Sequence, residues 1–432
     1  MISWLRLLLF SLLLAALALG SGCTVEPGNS NAPISKATPA GSPAPSPTTS
    51  ASPTQQASVQ VTLPLLDALL SDEAFVRQLK EKVKLTDQQI DSLKHASQAE
   101  IDRLRSANAE DTDTDGTDAP TRAAEQLRSI VGEDKATQVA SVANDFWAKG
   151  APDDTTKTAE QFQMLPGPNA VPTDTRVVVN IPAFRMDLFK DGSLVKTYKV
   201  GIGYPEFPLP MGLRKAQTVI FNPAWTPPDS PWVATMKNAT PGERIEPGSK
   251  DNPLGPIKIP IGLPSLIHGG KSPARIGKFA SHGCVGLTTA QIKDFTIMLM
   301  QAANNEVSQA KIDEYLADKT KTKSVKLDKV IPVELRYETI VVEDGKLHIY
   351  KDVYAQHTNT EENLRKVLEA QGGRLEDLSE DQRRQALDAL KSQPKTGEVV
   401  IDVPQLARKG YPVAVNLDDG KGKARTTRTK RT

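Results

Sequence analysis

The chain has 432 residues, 38% of them hydrophobic, with 53 Lys and Arg against 52 Asp and Glu. That length and apolar content suit about two to three folded units with buried cores, and the balanced charge argues against a protein that grips nucleic acid through general basicity. The 32 prolines exceed the usual ~5% and point to linkers, while the two cysteines, Cys23 and Cys284, exclude a disulfide scaffold.

At the N-terminus, Arg6 precedes an apolar run of about 13 residues, short of the ~20 that span a bilayer. It matches the h-region of a secretory signal peptide, which we place at residues 1–22. Gly20-Ser21-Gly22-Cys23 resembles a bacterial lipobox, with Gly20 where a Leu is usual and Leu19 one place further out. That resemblance implies a lipidated Cys23. Two or more acyl chains there would anchor the chain stably, where one holds only marginally. The competing reading is ordinary cleavage near Ala18. The expectation is an exported, periplasmic or cell-envelope protein held on a membrane by its lipid, with Thr24 after the cysteine favouring the outer membrane. Residues 23–58 are Pro, Ser, Thr, Ala and Asn with almost no large apolar side chain, so they read as a disordered tether.

From 59 to 150 the pattern is that of a small α-helical module. LPLLDALL and EAFVRQLKEKV come first; Thr86 with Gln89 three places on forms a capping box before Ile90 and Leu93; a further helix is expected over Thr121–Lys149. A spacer and a partner- or wall-binding module are both compatible with it. Asp111-Thr-Asp113-Thr-Asp115-Gly116 begins like a calcium loop, but position twelve is Arg122 rather than a bidentate Glu and Pro120 interrupts it, so a solvated acidic linker is the reading taken.

Residues 151–173 read as linker. From 174 the pattern turns to strands, giving a mainly β domain to about 357. Arg176–Asn180, Met186–Phe189 and Leu194–Gly201 alternate, with Asp191-Gly192 as a hairpin turn. Another strand at 330–342, Asp344-Gly345 and Lys346–Tyr350 make a second hairpin. Residues 358–432 form a C-terminal extension, with helices near 361–370 and from a Ser379/Gln382 cap to Leu390, and a basic tail.

The chemistry gathers on Cys284, which lacks any second cysteine in the folded, exported part. His268 and His282, two of only five histidines, lie within 16 residues upstream. Small residues around the thiol leave room for substrate, and Gly283 permits a backbone in which N–H groups converge on an oxyanion. Thr288 or Thr289 caps the helix TTAQIKDFTIMLMQA, whose positive end would lower the thiol pKa. A thiol and imidazole pair gives a nucleophile that needs no metal or other cofactor. The competing readings are zinc held by His268, His282 and Cys284, and an inert buried cysteine.

Ser281-His282-Gly283-Cys284 with His268 sixteen places upstream resembles the signature of the L,D-transpeptidase (YkuD-like) catalytic domain. Pro208-Leu-Pro-Met-Gly212, Asn222-Pro-Ala-Trp-Thr-Pro-Pro228, Pro247-Gly248, Asn252-Pro-Leu-Gly255 and Ile267-His-Gly269 follow in the family's order. The resemblance implies a YkuD-like twisted β-sandwich with a helix after the catalytic cysteine. It implies Cys284 as nucleophile, His268 as general base and then acid, and a Gly269 carbonyl orienting the imidazole. His282, Gly283 and Cys284 would frame the oxyanion hole through backbone N–H groups, and Ser281 matches the Ser or Thr before them. The implied partners are peptidoglycan stem peptides. The implied reaction is a 3→3 cross-link made through a cysteine thioester on a tetrapeptide stem. An L,D-carboxypeptidase, a transferase to a wall lipoprotein, and a non-catalytic wall-binding lipoprotein are the alternatives. Two departures stand out: Gly286 where the family has Arg or Asn, and Met211 in place of a Thr-Pro-Thr-Gly turn residue.

Overall fold

The computed structural model describes residues 61–107, 118–149 and 162–421, apart from breaks at 229–232, 234–235, 263–264, 393, 395–396 and 407–409. The proposed signal peptide, Cys23, the tether, the Asp111–Gly116 run and the tail beyond 421 lie outside the described residues. So does the first part of the expected linker, through 161. Everything described falls within one unit, Thr54–Thr432. Among the described residues, no helix is long and apolar enough to cross a membrane.

The N-terminal helices are α1 (Leu63–Leu70), α2 (Glu73–Gln78), α3 (Asp87–Ala107), α4 (Asp118–Val131) and α5 (Glu133–Lys149). Thr62 caps α1 through its side chain. The Thr86/Gln89 box opens α3 with both reciprocal bonds at 3.2 Å, a feature typically worth ~1 kcal/mol. Leu65, Leu66, Phe75, Leu79, Leu93 and Phe146 close a separate core, in which Phe75 meets Phe146 edge-on at 5.3 Å. The single helix expected over Thr121–Lys149 is two. Gly132 at φ +83° ends α4, its N–H bonding to Arg128 O at 2.9 Å, because a left-handed glycine closes a helix where other residues strain. Arg122, the residue that spoils the calcium pattern, pairs instead with Glu100 at 2.9 Å.

The catalytic region is mainly β, as expected. Its large sheet runs β3 (Ser193–Lys199), β2 (Arg185–Lys190), β1 (Arg176–Asn180), β10 (Lys323–Arg336), β5 (Gly212–Phe221), β6 (Ile257–Pro260), β7 (Leu266–His268), β9 (Val285–Gly286). Asp191 (φ +48°) and Gly192 (φ +77°) make the hairpin turn that the Asp-Gly pair signals. A short parallel pair, β4 (Ile202–Gly203) with β8 (Phe279–Ser281), stands beside it. Helix α6 (Thr289–Ala302) follows the cysteine, capped by Thr288 and Gln291 in a full capping box. It lays Ile292, Phe295 and Leu299 on the same core as Val177, Val179, Phe221 and Ile267. Helix α7 (Gln309–Ala317) leads into β10.

The strand expected at 330–342 is split. β10 ends at Arg336 and β11 (Ile340–Glu343) starts a three-stranded sheet with β12 (Lys346–Tyr350) and β13 (Glu398–Asp402). Ile340, Val342, Leu347 and Ile349 share their core with Leu364, Val367, Leu368 and Leu390 of the C-terminal helices α8 (Glu361–Ala370) and α9 (Glu380–Ser392). The chain then returns to the large sheet: Thr197 and Lys199 N–H groups bond to Val415 and Asp418 carbonyls at 2.9 Å. Gln291 Nε2 also donates to Asp418 O at 3.0 Å, tying the helix behind the cysteine to the end of the chain.

Candidate active site

Two adjacent strands bring the signature together. β7 and β9 run parallel, with Ile267 opposite Val285 and His268 opposite Gly286. His268 therefore stands across from a residue two places after Cys284. The strands are laced further by Leu287 N–H to His268 O at 2.9 Å and Lys271 N–H to Leu287 O at 3.0 Å.

His268 is buried at 3% exposure. Its Nδ1 lies 2.7 Å from the Gly269 carbonyl, so Nδ1 carries the proton and Nε2 keeps its lone pair. Desolvation, then the Lys271 charge, outweighs the Gly269 and Leu254 carbonyls and lowers the imidazole to about 3. Only glycine fits next to it, since a Cβ on Gly269 would come within 2.6 Å of Ile292 Cγ2. A Cβ on Gly270, at φ +81°, would come within 2.9 Å of Gly255 N and Pro253 O, so the Asn252–Gly255 motif packs directly under the histidine turn.

Cys284 is half-buried and unoxidised. Burial pushes its thiol up, only partly offset by the Leu266 N–H and the Lys271 charge. The thiol pKa therefore moves the opposite way from the sequence expectation. Thr288 lies four places after Cys284, and desolvation exceeds whatever the start of α6 supplies. Thiol and imidazole are thus both neutral at rest. Among the described residues no hydrogen bond joins them. Activation in this arrangement means moving a proton from sulfur to Nε2 as the bond forms, rather than a standing ion pair.

Ser281 and Gly283 shape the turn. The Cys284 N–H, expected to face an oxyanion, donates to Ser281 Oγ at 3.1 Å, and the same hydroxyl donates to Cys284 O. Gly283 takes φ +89°, the conformation its position demands, and its carbonyl accepts from Ser265 Oγ at 2.8 Å. His282 packs between Tyr204 (5.3 Å) and Phe207 (4.9 Å), where burial, then Lys271, holds it well below the usual imidazole range. It is a wall of the site. His268, His282 and Cys284 do not gather as a metal-binding group.

Several neighbours carry no sequence signal. Trp147, at the end of α5, lies 3.6 Å from the position of a Cβ on Gly283, and its carbonyl accepts from buried Arg214 of β5. Thr62 Oγ1 donates to Glu206 O at 2.7 Å in the loop after β4. The helical module thus packs beside the cysteine turn. Trp147 precedes Cys284 by more than a hundred residues, so only the fold reveals it. A separate groove of about 400 Å³, lined by Phe184, Lys199, Phe279, Tyr350 and Glu398, includes neither Cys284 nor His268.

The family model of the YkuD L,D-transpeptidase catalytic domain matches residues 174–308. That segment is similar to a YkuD L,D-transpeptidase catalytic domain. A curated relative, the probable L,D-transpeptidase YbiS of Escherichia coli (strain K12), is 29% identical over 119 residues, 27% of this chain and 39% of that protein. The match therefore spans well under half of the curated relatives' length. Among solved structures, the catalytic domain of the E. faecium L,D-transpeptidase matches at 17% identity with a TM-score of 0.25, over 38% of this chain and 99% of that one. The L,D-transpeptidase from Mycobacterium smegmatis matches at 14% and 0.23, over 38% and 58%. The YkuD segment contains both Cys284 and His268.

Proposed function

We propose that the chain is a peptidoglycan L,D-transpeptidase that forms 3→3 cross-links through a thioester on Cys284. The observation that carries this reading is the His268 tautomer: with Nδ1–H fixed on Gly269 O, Nε2 is left as a proton acceptor one strand from the cysteine turn. In the first step Cys284 Sγ attacks the carbonyl of the amide between the L-centre of diaminopimelate and the terminal D-Ala of a tetrapeptide stem. The thiol proton passes to His268 Nε2 and from there to the departing D-Ala amine. In the second step the side-chain amine of another stem attacks the thioester, giving up a proton to His268 and releasing the thiol. No cofactor enters either step.

In the same reading, residues 1–22 direct export and Cys23 carries the lipid, with the outer membrane as destination. The tether through residue 58 lets the catalytic domain reach the wall while it stays anchored, which raises its effective concentration there. Incubating the protein with purified tetrapeptide muropeptides and weighing the products tests the reaction. Cross-linked dimers are expected, and Cys284→Ala abolishes them along with carbapenem labelling. Tripeptides without dimers would make the enzyme an L,D-carboxypeptidase. Dimers made equally by Cys284→Ala overturn the reading.

A further inference from the structure

Gly286 leaves an opening on β9 opposite His268, and a side chain from elsewhere fills it. A Cβ placed on Gly286 would come within 2.8 Å of Lys271 Cγ, 3.0 Å of Cε and 3.4 Å of Cδ. The lysine's aliphatic stem therefore lies along the bare backbone two residues past the nucleophile. Its own backbone is fixed there by the 3.0 Å bond to Leu287 O, so the stem starts from an anchored point. The position is selective as well as close, because the stem can lie on β9 only while residue 286 has no side chain.

We propose that Lys271 is a positioning residue for Cys284: its stem takes the place of a side chain on Gly286 and brings one ammonium charge to the sulfur, where it favours the thiolate that develops as the proton leaves. The inference rests on the reading of Cys284 as the nucleophile and deepens it. Among the described residues, Lys271 in the loop after β7 acts on Cys284, on His268 of β7 and on His282 in the turn, and Lys258 of β6 acts on His268. Both imidazoles are neutral, and among the described residues Lys271 is the charge that acts on Cys284. The same charge disfavours protonation of His268 and His282. It therefore keeps Nε2 available as an acceptor while it assists the thiol, and both effects help the same proton move.

The test reads the thiol without any stem peptide. Alkylation of Cys284 by iodoacetamide is followed across pH 6–11 on the full chain by peptide mapping, which separates Cys284 from Cys23. Lys271→Gln is expected to raise the midpoint by about 0.5–1 pH unit, the scale of one nearby charge screened by solvent. At pH 8 that lowers the alkylation rate about 3–10-fold. Lys271→Arg restores the midpoint to within about 0.3 unit, which loss of packing alone would not do. Gly286→Ala displaces the stem and raises the midpoint in the wild-type background, yet adds nothing further in Lys271→Gln, as expected when two changes act through one contact. Unfolding temperatures of each variant check that the fold persists. An unchanged midpoint in folded Lys271→Gln, or additive shifts in the double variant, overturns the proposal. If those shifts occur while no stem acylates Cys284, the lysine assignment stands and the transpeptidase reading falls.

Discussion

The two halves of the large sheet bury polar groups to opposite effect. In the β1–β2–β10 half, charges are kept. Arg176 of β1 meets Glu334 of β10 at 2.5 Å, Arg336 meets the same carboxylate at 2.8 Å, and Arg185 is held by Asp187 at 2.8 Å and Glu343 at 2.7 Å. Burial acts against the Arg185 guanidinium, yet Asp187 and Glu343 more than offset it and its pKa rises. In the β7–β9 half, among the described residues, no carboxylate acts on His268, and burial outweighs the single Lys271 charge on Cys284, so both groups are neutral. Desolvation is common to the two halves; whether opposite charges outweigh it decides ionisation. One half is a charged clamp on the fold, and the other is a neutral pair ready to exchange a proton.

Four perturbations test that contrast. His268→Gln removes the acceptor from the neutral half, and Cys284 acylation is expected to fall at least ~10²-fold, the usual scale for a lost general base; near-normal acylation would move the base role elsewhere, with His282 next in line. Glu334→Gln strips the carboxylate shared by two buried arginines and is expected to cost about 3 kcal/mol in urea denaturation. A loss below ~1 kcal/mol would mean that Asp174 and Glu338 suffice. Gly269→Ala drives a Cβ onto Ile292, costing about 1–3 kcal/mol as overpacking does. It also shifts the carbonyl that fixes the imidazole, so acylation falls and partly recovers in Gly269→Ala/Ile292→Ala. Recovery of stability without acylation would separate packing from orientation.

A further effect is on stability against pH. His268 binds a proton in the unfolded chain near the ordinary ~6.5 but in the fold only near about 3. Between those values the unfolded state holds more protons, so folding stability is full above ~6.5 and declines as pH falls toward 3. His268→Gln should flatten part of that decline. A wild-type curve parallel to the variant's over this window would contradict a buried neutral imidazole.

Much of the site was legible because its signals are local. His268-Gly269 and Ser281–Cys284 are short motifs on neighbouring strands, and the Thr288 cap marks the helix behind them. The Asp-Gly turns at 191 and 344 likewise declare their hairpins through residues that tolerate positive φ. What escaped was non-local or a matter of degree. The break between β10 and β11 follows from Tyr337 Oη meeting Asp352 and from β12 pairing with β13 fifty residues on, neither of which alters the local pattern. The thiol's direction of shift was missed because a cap is visible in sequence and the depth of burial is not. Gly286 is plain in the sequence as a missing side chain, but only the fold shows Lys271 across it.

In the proposed reaction Cys284 Sγ is the atom acylated, with a neutral His268 taking its proton. The most direct measurement is peptide mapping of the protein quenched in acid during reaction with a tetrapeptide stem lacking an acceptor. The expected result is the stem's mass less D-Ala on the Cys284 peptide, sensitive to hydroxylamine and strongly reduced in His268→Gln. An adduct on another residue, or none on Cys284 while dimers still accumulate with an acceptor present, would contradict it.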